Sequence, residues 1–379
     1  MSSVTARPLV ACYYFGNYHV DARNVGVHGP GWTEWELVRR ATPRFPGHVQ
    51  PNVPAWGYTD EADPAVMARK IDAAADHGID AFIFDWYWYD DGPFLQRCLD
   101  EGYLQAPNHR RVPFCCMWAN HDWTNIHPCG LHSGREKLYR GKVTPETFER
   151  ITARFVELYF RHPAHLRLDG CPYFSIYDLT RFIESFGSLA ATQAAIRAFR
   201  QKTVAAGFPG LHLNAVVWGR TILPGETQPT DTRQLVCDLG FDSTTSYVWV
   251  HHAGLDRSPT TPYEVVRDRY FAHWEQMVRT YPMPYFPNVT MGWDSSPRTI
   301  QSEVWQPIGY PFTNCIGGNT PAAFREALRL TRDRLRALGG PQMLNINCWN
   351  EWTEGSYLEP DTRSGLAYLE AVREVFGTR

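Results

Sequence analysis

The chain has 379 residues, 44% hydrophobic and 20% charged, a globular composition that excludes disorder and collagen-like structure. Lys and Arg number 37 against 40 Asp and Glu, for a formal net charge of -3, so no basic surplus points to nucleic acid or an anionic membrane. The 14 Trp, 19 Tyr and 20 Phe exceed what a core alone uses and suit a site that stacks on half-apolar ligands such as sugars.

The apolar run Leu9 to Tyr14 predicts a first strand, and the run to Phe15 is too short for a signal segment. No run of about 20 apolar residues follows anywhere, which excludes a membrane-spanning helix. The 9 Cys are irregularly spaced with no C-x-x-C pair, against a zinc ribbon or a disulfide framework. These readings predict a cytoplasmic protein with buried thiols, no metal and no cofactor.

A long Pro-, Gly- and aromatic-rich segment runs from Phe15 to Tyr58; its Trp32, Trp35, Phe45 and Trp56 predict an ordered loop with a function. Helical spacing covers Pro64 to His77, with Val66, Met67, Ile71 and Ala75 on one stripe and Gly78 as the stop. Strands are predicted at Asp80 to Trp86 and Val112 to Trp118. A helix follows from Thr144 to Phe160, with Pro145 at its first turn. Next come a strand at Pro172 to Asp178, a helix at Ala190 to Ala206, and strands at Leu211 to Trp218 and Phe241 to Tyr247, the last short and Thr/Ser-rich. The series closes with a helix at Tyr263 to Arg279, a strand at Tyr285 to Asp294, a helix at Pro321 to Leu338 stopped by Gly339-Gly340, and a strand at Met343 to Trp349. Mostly apolar strands alternating with amphipathic helices predict the α/β class: one (β/α)8 TIM barrel as a single catalytic domain over residues 1–379, its long first loop on the catalytic face.

Polar and aromatic residues cluster where these strands end. Asp85 and Trp86 end the second; Trp118, Asn120 and Trp123 follow the third; Tyr177, Trp218 and Tyr247 end the next three. Trp293, Asp294 and Arg298 follow the seventh, and Trp352 the eighth, while Tyr14 and Trp35 come from the first strand and its loop. An aromatic pocket holding carboxylates is what glycosidic cleavage requires, since sugar C–H faces stack on rings and two carboxyl groups do the proton work. Glu351 and Glu354 are the sharpest pair, and close carboxylates should split their pKa values, one raised and one low. Blander readings make Asp178 a helix cap, His121 and Asp122 a structural pair, and His251-His252 polar surface.

Asn350-Glu351-Trp352-Thr353-Glu354-Gly355 with Leu358-Glu359-Pro360-Asp361 resembles the eighth-strand signature of the glycoside hydrolase family 99 and WbsX-like group. Tyr13-Tyr14, Gly31-Trp32-Thr33-Glu34-Trp35, Phe45-Pro46-Gly47-His48-Val49-Gln50-Pro51, Trp118-Ala119-Asn120 with Trp123, and Gly292-Trp293-Asp294 with Arg298 extend the similarity over nearly the whole chain. The resemblance implies a retaining, metal-free α-mannosidase-type barrel that works through a 1,2-anhydro sugar. Glu351 would be the base at the sugar's 2-hydroxyl, and Glu354 the general acid/base. Attack by O2 on C1 needs the 2-hydroxyl trans to the leaving group, which implies an α-manno- or α-L-rhamno-configured oligo- or polysaccharide. Asp85 and His121 depart from the family pattern at the mouth. The alternatives are a glycosyltransferase and a non-catalytic carbohydrate-binding barrel; the former lacks a G-x-G-x-x-G, a P-loop or an Asp-x-Asp for a nucleotide diphosphate.

Overall fold

The computed structural model describes residues 7–339 and 343–377; Gly340, half of the expected stop, lies outside them. Eight parallel strands form the frame: β1 (Leu9–Tyr14), β2 (Ala81–Tyr89), β3 (Phe114–Trp118), β4 (Cys171–Ile176), β5 (His212–Val216), β6 (Ser243–Thr245), β7 (Tyr285–Phe286 continuing as Asn288–Thr290) and β8 (Met343–Asn347). They pair in chain order, and β1 pairs with β8 in the register Leu9 to Met343, closing a barrel. Pro287 has no N–H and interrupts β7. Its first half therefore pairs with β6, and its second half pairs with β8.

The Thr/Ser-rich β6 has a physical reason. The barrel interior there is polar and internally bonded: Asn214 Nδ2 donates to Ser243 Oγ at 2.9 Å, Asn345 Nδ2 to Thr245 Oγ1 at 2.6 Å, and Thr245 Oγ1 to the Phe286 carbonyl at 2.7 Å. Apolar β-branched side chains would leave those partners buried and unpaired.

Helices Pro64–Asp76, Pro145–Arg154, Leu189–Ala205, Tyr263–Thr280 and Pro321–Leu338 stand within a few residues of their predicted bounds, the second ending in a π-helical turn at Phe155–Tyr159. Asp63, Thr144 and Thr320 cap three of them, each followed by proline, and each cap stabilises its helix by about 1 kcal/mol. The short helix Thr232–Asp238 is an addition to the sequence reading. Between β2 and β3 the regular elements are a short strand (Gly92–Phe94) paired antiparallel with the end of β2, a π-helical turn (Cys98–Tyr103) and one 3₁₀ turn (His109–Arg111). No helix among the described residues is long and apolar enough to cross a membrane.

The long first loop is ordered and lies on the C-terminal face of the barrel. Trp35 anchors it, its indole N–H donating to the Thr59 carbonyl at 2.8 Å and its ring centroid 4.1 Å from that of Tyr18 and 5.8 Å from that of Trp352.

Candidate active site

After β8 the chain folds into a tight hairpin in which Asn350 and Glu351 pair antiparallel with Tyr357 and Ser356. A 3₁₀ turn over Trp352–Glu354 joins the strands and ends at Gly355, whose φ is 65°. A Cβ at Gly355 would lie 2.8 Å from Asp294 Cβ, so both backbone and space demand glycine. The Asp294 N–H donates to the Glu354 carbonyl at 2.6 Å. Glu351 and Glu354 therefore project from one rigid turn.

A buried frame holds that turn. The indoles of Trp349 and Trp352 donate to the two oxygens of Glu359 at 2.9 and 2.8 Å. Lys70, on the first long helix, pairs with Glu359 at 2.6 Å and Glu61 at 2.7 Å. Asn350 Nδ2 reaches the same Glu61 and the Phe15 carbonyl, both at 2.7 Å.

Arg298, in a 3₁₀ turn beyond β7, is the hub. Its Nη2 meets Glu351 Oε1 at 2.7 Å and Glu34 Oε1 at 2.8 Å, and its Nη1 meets Glu354 Oε1 at 2.7 Å. Tyr310 Oη donates to Glu354 at 2.6 Å, and Thr353 Oγ1 donates to Glu34. One guanidinium thus faces three buried carboxyl groups. Burial pushes Glu351 well above the ordinary carboxylate range, with Glu354, Glu34 and Asp85 adding to the rise against Arg298. Burial also raises Glu354, less strongly, because Arg298 and Tyr310 oppose it. At Glu34, burial is outweighed by Arg298, His127 and Thr353, and the carboxyl sits below its usual value. The expected split within the pair is corrected here: both catalytic candidates are raised, and the low partner is Glu34 on the long loop. The proton that one cation cannot balance resides on the pair.

Asp85, Trp123, Tyr177, Tyr247, Trp293 and Arg298 line one pocket with Glu351 and Glu354. Tyr247 Oη donates to Asp85 at 2.8 Å, and Tyr177 Oη donates to Glu226 at 2.7 Å, whose other oxygen accepts the Ile222 and Leu223 N–H groups. Burial raises Asp85 well above its ordinary value.

The other candidates stand behind the lining. Tyr14 donates to Glu61 at 2.7 Å outside the barrel. Trp35 and Trp352 pack on each other beneath the hairpin. Trp86 stacks on Trp88 and Phe155, and Trp118 on Phe148 and Phe182. Asn120 Nδ2 donates to the Asp178 carbonyl at 2.8 Å, and the Asp178 side chain caps the helix Leu179–Phe186. Trp218 backs Tyr177 and His251. Strand parity explains the division: alternate residues face opposite sides, so Asp85 and Tyr87 look inward while Trp86 and Trp88 look out, and Met117 and Ala119 line the pocket beside outward Trp118.

Parity was the signal that would have found Tyr87, Met117 and Ala119. His121, His127 and His251 also line the pocket, together with Phe15, Ile222 and Leu223. His251 is 2% exposed, which corrects its reading as polar surface, and the half-buried His252 stacks on His273. Burial drives His127 and His251 to about 3, and both are neutral at pH 7. Asp122, on the pocket wall, is tied to Lys137 at 2.5 Å and Arg181 at 3.2 Å rather than paired through its side chain with His121. Asp85 Oδ1, both His127 ring nitrogens and His251 Nδ1 are buried without a hydrogen-bond partner among the described residues. An unpaired buried polar atom costs roughly 1–3 kcal/mol, so these atoms suit a ligand rich in hydroxyl groups.

His48, Asp294 and Cys315 bring three potential metal-ligand atoms within 4.8 Å of one another. Asp294 is already engaged: Oδ2 accepts from Gln50 at 2.7 Å and meets His48 Nε2 at 2.8 Å, and Oδ1 accepts the Ser296 N–H at 3.0 Å. Burial alone would raise Asp294, but His48 and these donors hold it at about 2. The group works as a hydrogen-bonded pin behind Glu354.

The family model described as Glycosyltransferase WbsX matches residues 10–372. The uncharacterized protein WxcX of Xanthomonas campestris pv. campestris is 28% identical over 377 residues, covering 96% of this chain and 49% of that protein; the chain spans about half the length of the curated relatives it matches. Among solved structures, a glycoside hydrolase-like protein covers 100% of this chain and 96% of its own at TM-score 0.62 and 15% identity. The GH99 endo-alpha-mannosidase from Bacteroides thetaiotaomicron covers 96% and 95% at TM-score 0.54 and 15% identity. At these identities the likeness is one of fold.

Proposed function

The chain belongs to the WbsX family, and on that premise we propose that it is a retaining glycoside hydrolase acting on an α-manno- or α-L-rhamno-configured oligo- or polysaccharide. The carrying observation is the pair Glu351 and Glu354 on one turn, sharing Arg298 inside an aromatic pocket at the C-terminal mouth of a closed barrel. Glu351 removes the proton of the sugar 2-hydroxyl, and O2 attacks C1 opposite the leaving oxygen. The C1–O bond breaks as Glu354 gives its proton to that oxygen. Water then gives a proton to Glu354 and attacks C1, the C1–O2 bond opens, and Glu351 returns its proton to O2. Two inversions give net retention, with no enzyme-bound ester of the kind ordinary retaining enzymes form.

The pair carries one proton, and the reactive form has it on Glu354. Burial raises both groups. Apparent pKa values of the pH–rate profile then belong to the pair. A transferase reading follows the family's description, but a nucleotide diphosphate would meet Glu34, Glu351, Glu354 and Asp85 around one arginine, a field that repels it.

The test is product release from α-mannosides and α-L-rhamnosides without metal or nucleotide sugar, with NMR reading the first anomer. Retention from one of them is the expected result; cleavage confined to α-glucosides, which lack the trans 2-hydroxyl, would sink the reading. On an activated aryl glycoside, which needs little acid help, Glu354→Gln should keep more of its rate than Glu351→Gln. The reverse order would exchange the two roles.

A further inference from the structure

The catalytic pocket is not isolated. Ile222 and Trp293 form a wall shared with a second cavity of about 240 Å³, built by the segments after β5, β6 and β7. Arg220, Gly254 and Leu255 then join that cavity to a third one at the rim. The three cavities adjoin in a row that leads away from Glu351 and Glu354.

The sign of charge reverses along it. The inner pocket is lined by four acidic side chains, Asp85, Asp122, Glu351 and Glu354, against one cation, Arg298. The second cavity has no acidic residue in its lining and holds Arg220. The rim cavity adds Arg269 and Asp256, which neutralise each other through contacts of 2.8 and 3.0 Å. Arg220 is left as the net charge. It is exposed, and among the described residues it has no ion pair and no hydrogen bond. A Cβ at Gly254 would fall on its guanidinium, so glycine leaves the room it occupies. Asn314 lines the same cavity; its Nδ2 donates to the Leu255 carbonyl at 2.9 Å, while its Oδ1 is buried with no partner.

We propose that this row of cavities takes an acidic glycan, with Arg220 pairing with a sugar carboxylate bound one or two residues from the cleaved bond, and Asn314 Oδ1 accepting a hydroxyl of the same unit. The inference rests on the glycan-cleaving reading of the inner pocket and adds a register. The inner pocket's one lining cation, Arg298, is already engaged by three carboxyl groups, whereas Arg220 is free, so a sugar carboxylate pairs at the outer cavity and sets which sugar enters the inner one. Arg suits this task because its planar fork meets a carboxylate with two N–H groups.

Calorimetric binding to the Glu351→Gln protein tests it without turnover. The probes are an oligosaccharide carrying glucuronic acid beside an α-mannosyl or α-rhamnosyl unit and the same compound with its carboxyl reduced to the alcohol. The acidic form should bind about two- to fivefold tighter, as an exposed charge-assisted pair allows. Adding Arg220→Gln should remove that preference and leave binding of the reduced form unchanged, and Arg220→Lys should restore part of it. Equal binding of the two probes, a preference that survives Arg220→Gln, binding of neither, or a nucleoside diphosphate displacing the acidic probe would each overturn the proposal. Catalysis on the simple glycosides fails or succeeds separately and reports only on the hydrolase reading.

Discussion

Arg298 is outnumbered by the three carboxyl groups it touches, and this imbalance has a sign that stability measurements can read. Glu351 binds its proton more tightly folded than unfolded. Its contribution is therefore fully present below the unfolded value near pH 4.3 and is lost as pH rises through the folded value. Glutamine copies the protonated carboxyl, so Glu351→Gln should stabilise the fold at pH 7 by about 0.5–2 kcal/mol, with the gain vanishing toward pH 4. Glu34 has the opposite shift, so its contribution is present above the unfolded value and lost as pH falls. Glu34→Gln should destabilise at pH 7 by a similar amount. Thermal melts across pH 4 to 8 check both, and melting curves that move together would refute this electrostatic picture. The pair Glu351 and Glu354 was legible in the sequence because three-residue spacing after an apolar strand is a strong local pattern. Glu34, 264 residues from Arg298, and Tyr310 were not assigned to the pair, because only the closed barrel brings them to it.

At the scale of elements, the strands were legible from their apolar runs, and the first one agrees at both ends. The facing of each residue was not. Reading every aromatic at a strand end as a ligand contact put Trp86 and Trp118 in the pocket, although they lie one residue out of phase and face the helices. The hairpin after β8 makes a sharper demand. Gly355→Ala combines a left-handed backbone with a close approach to Asp294, and should cost about 1–3 kcal/mol from backbone strain alone. Because the same contact positions Glu354, it should lower kcat more than it raises KM. An unchanged kcat in a folded variant would separate the turn from the chemistry.

For the molecule as a whole, Lys70 is the clearest tie between distant parts of the chain: it joins the first long helix to the loop that carries Glu351 and Glu354, through Glu61 and Glu359. Neither its burial nor its partners could be read from a lone lysine in a helical stripe, where exposure is the normal state. Lys70→Met should leave two buried carboxyl groups without their shared cation and cost about 3–5 kcal/mol. Denaturant melts at pH 7 check this, and a loss below 1 kcal/mol would mean that solvent reaches the cluster.

The seam between β1 and β8 sets an order of events. Leu9 meets Met343 across more than 300 residues of chain, and β7 reaches its final partner only when β8 is present. A ribosome must therefore deliver almost the whole chain before the ring can close, and until then β1 has an unpaired edge open to other strands. The glutamate turn follows directly on that last strand. On the proposed function, turnover would report completed closure, and a nascent or clipped chain would be an assembly hazard before its site could form.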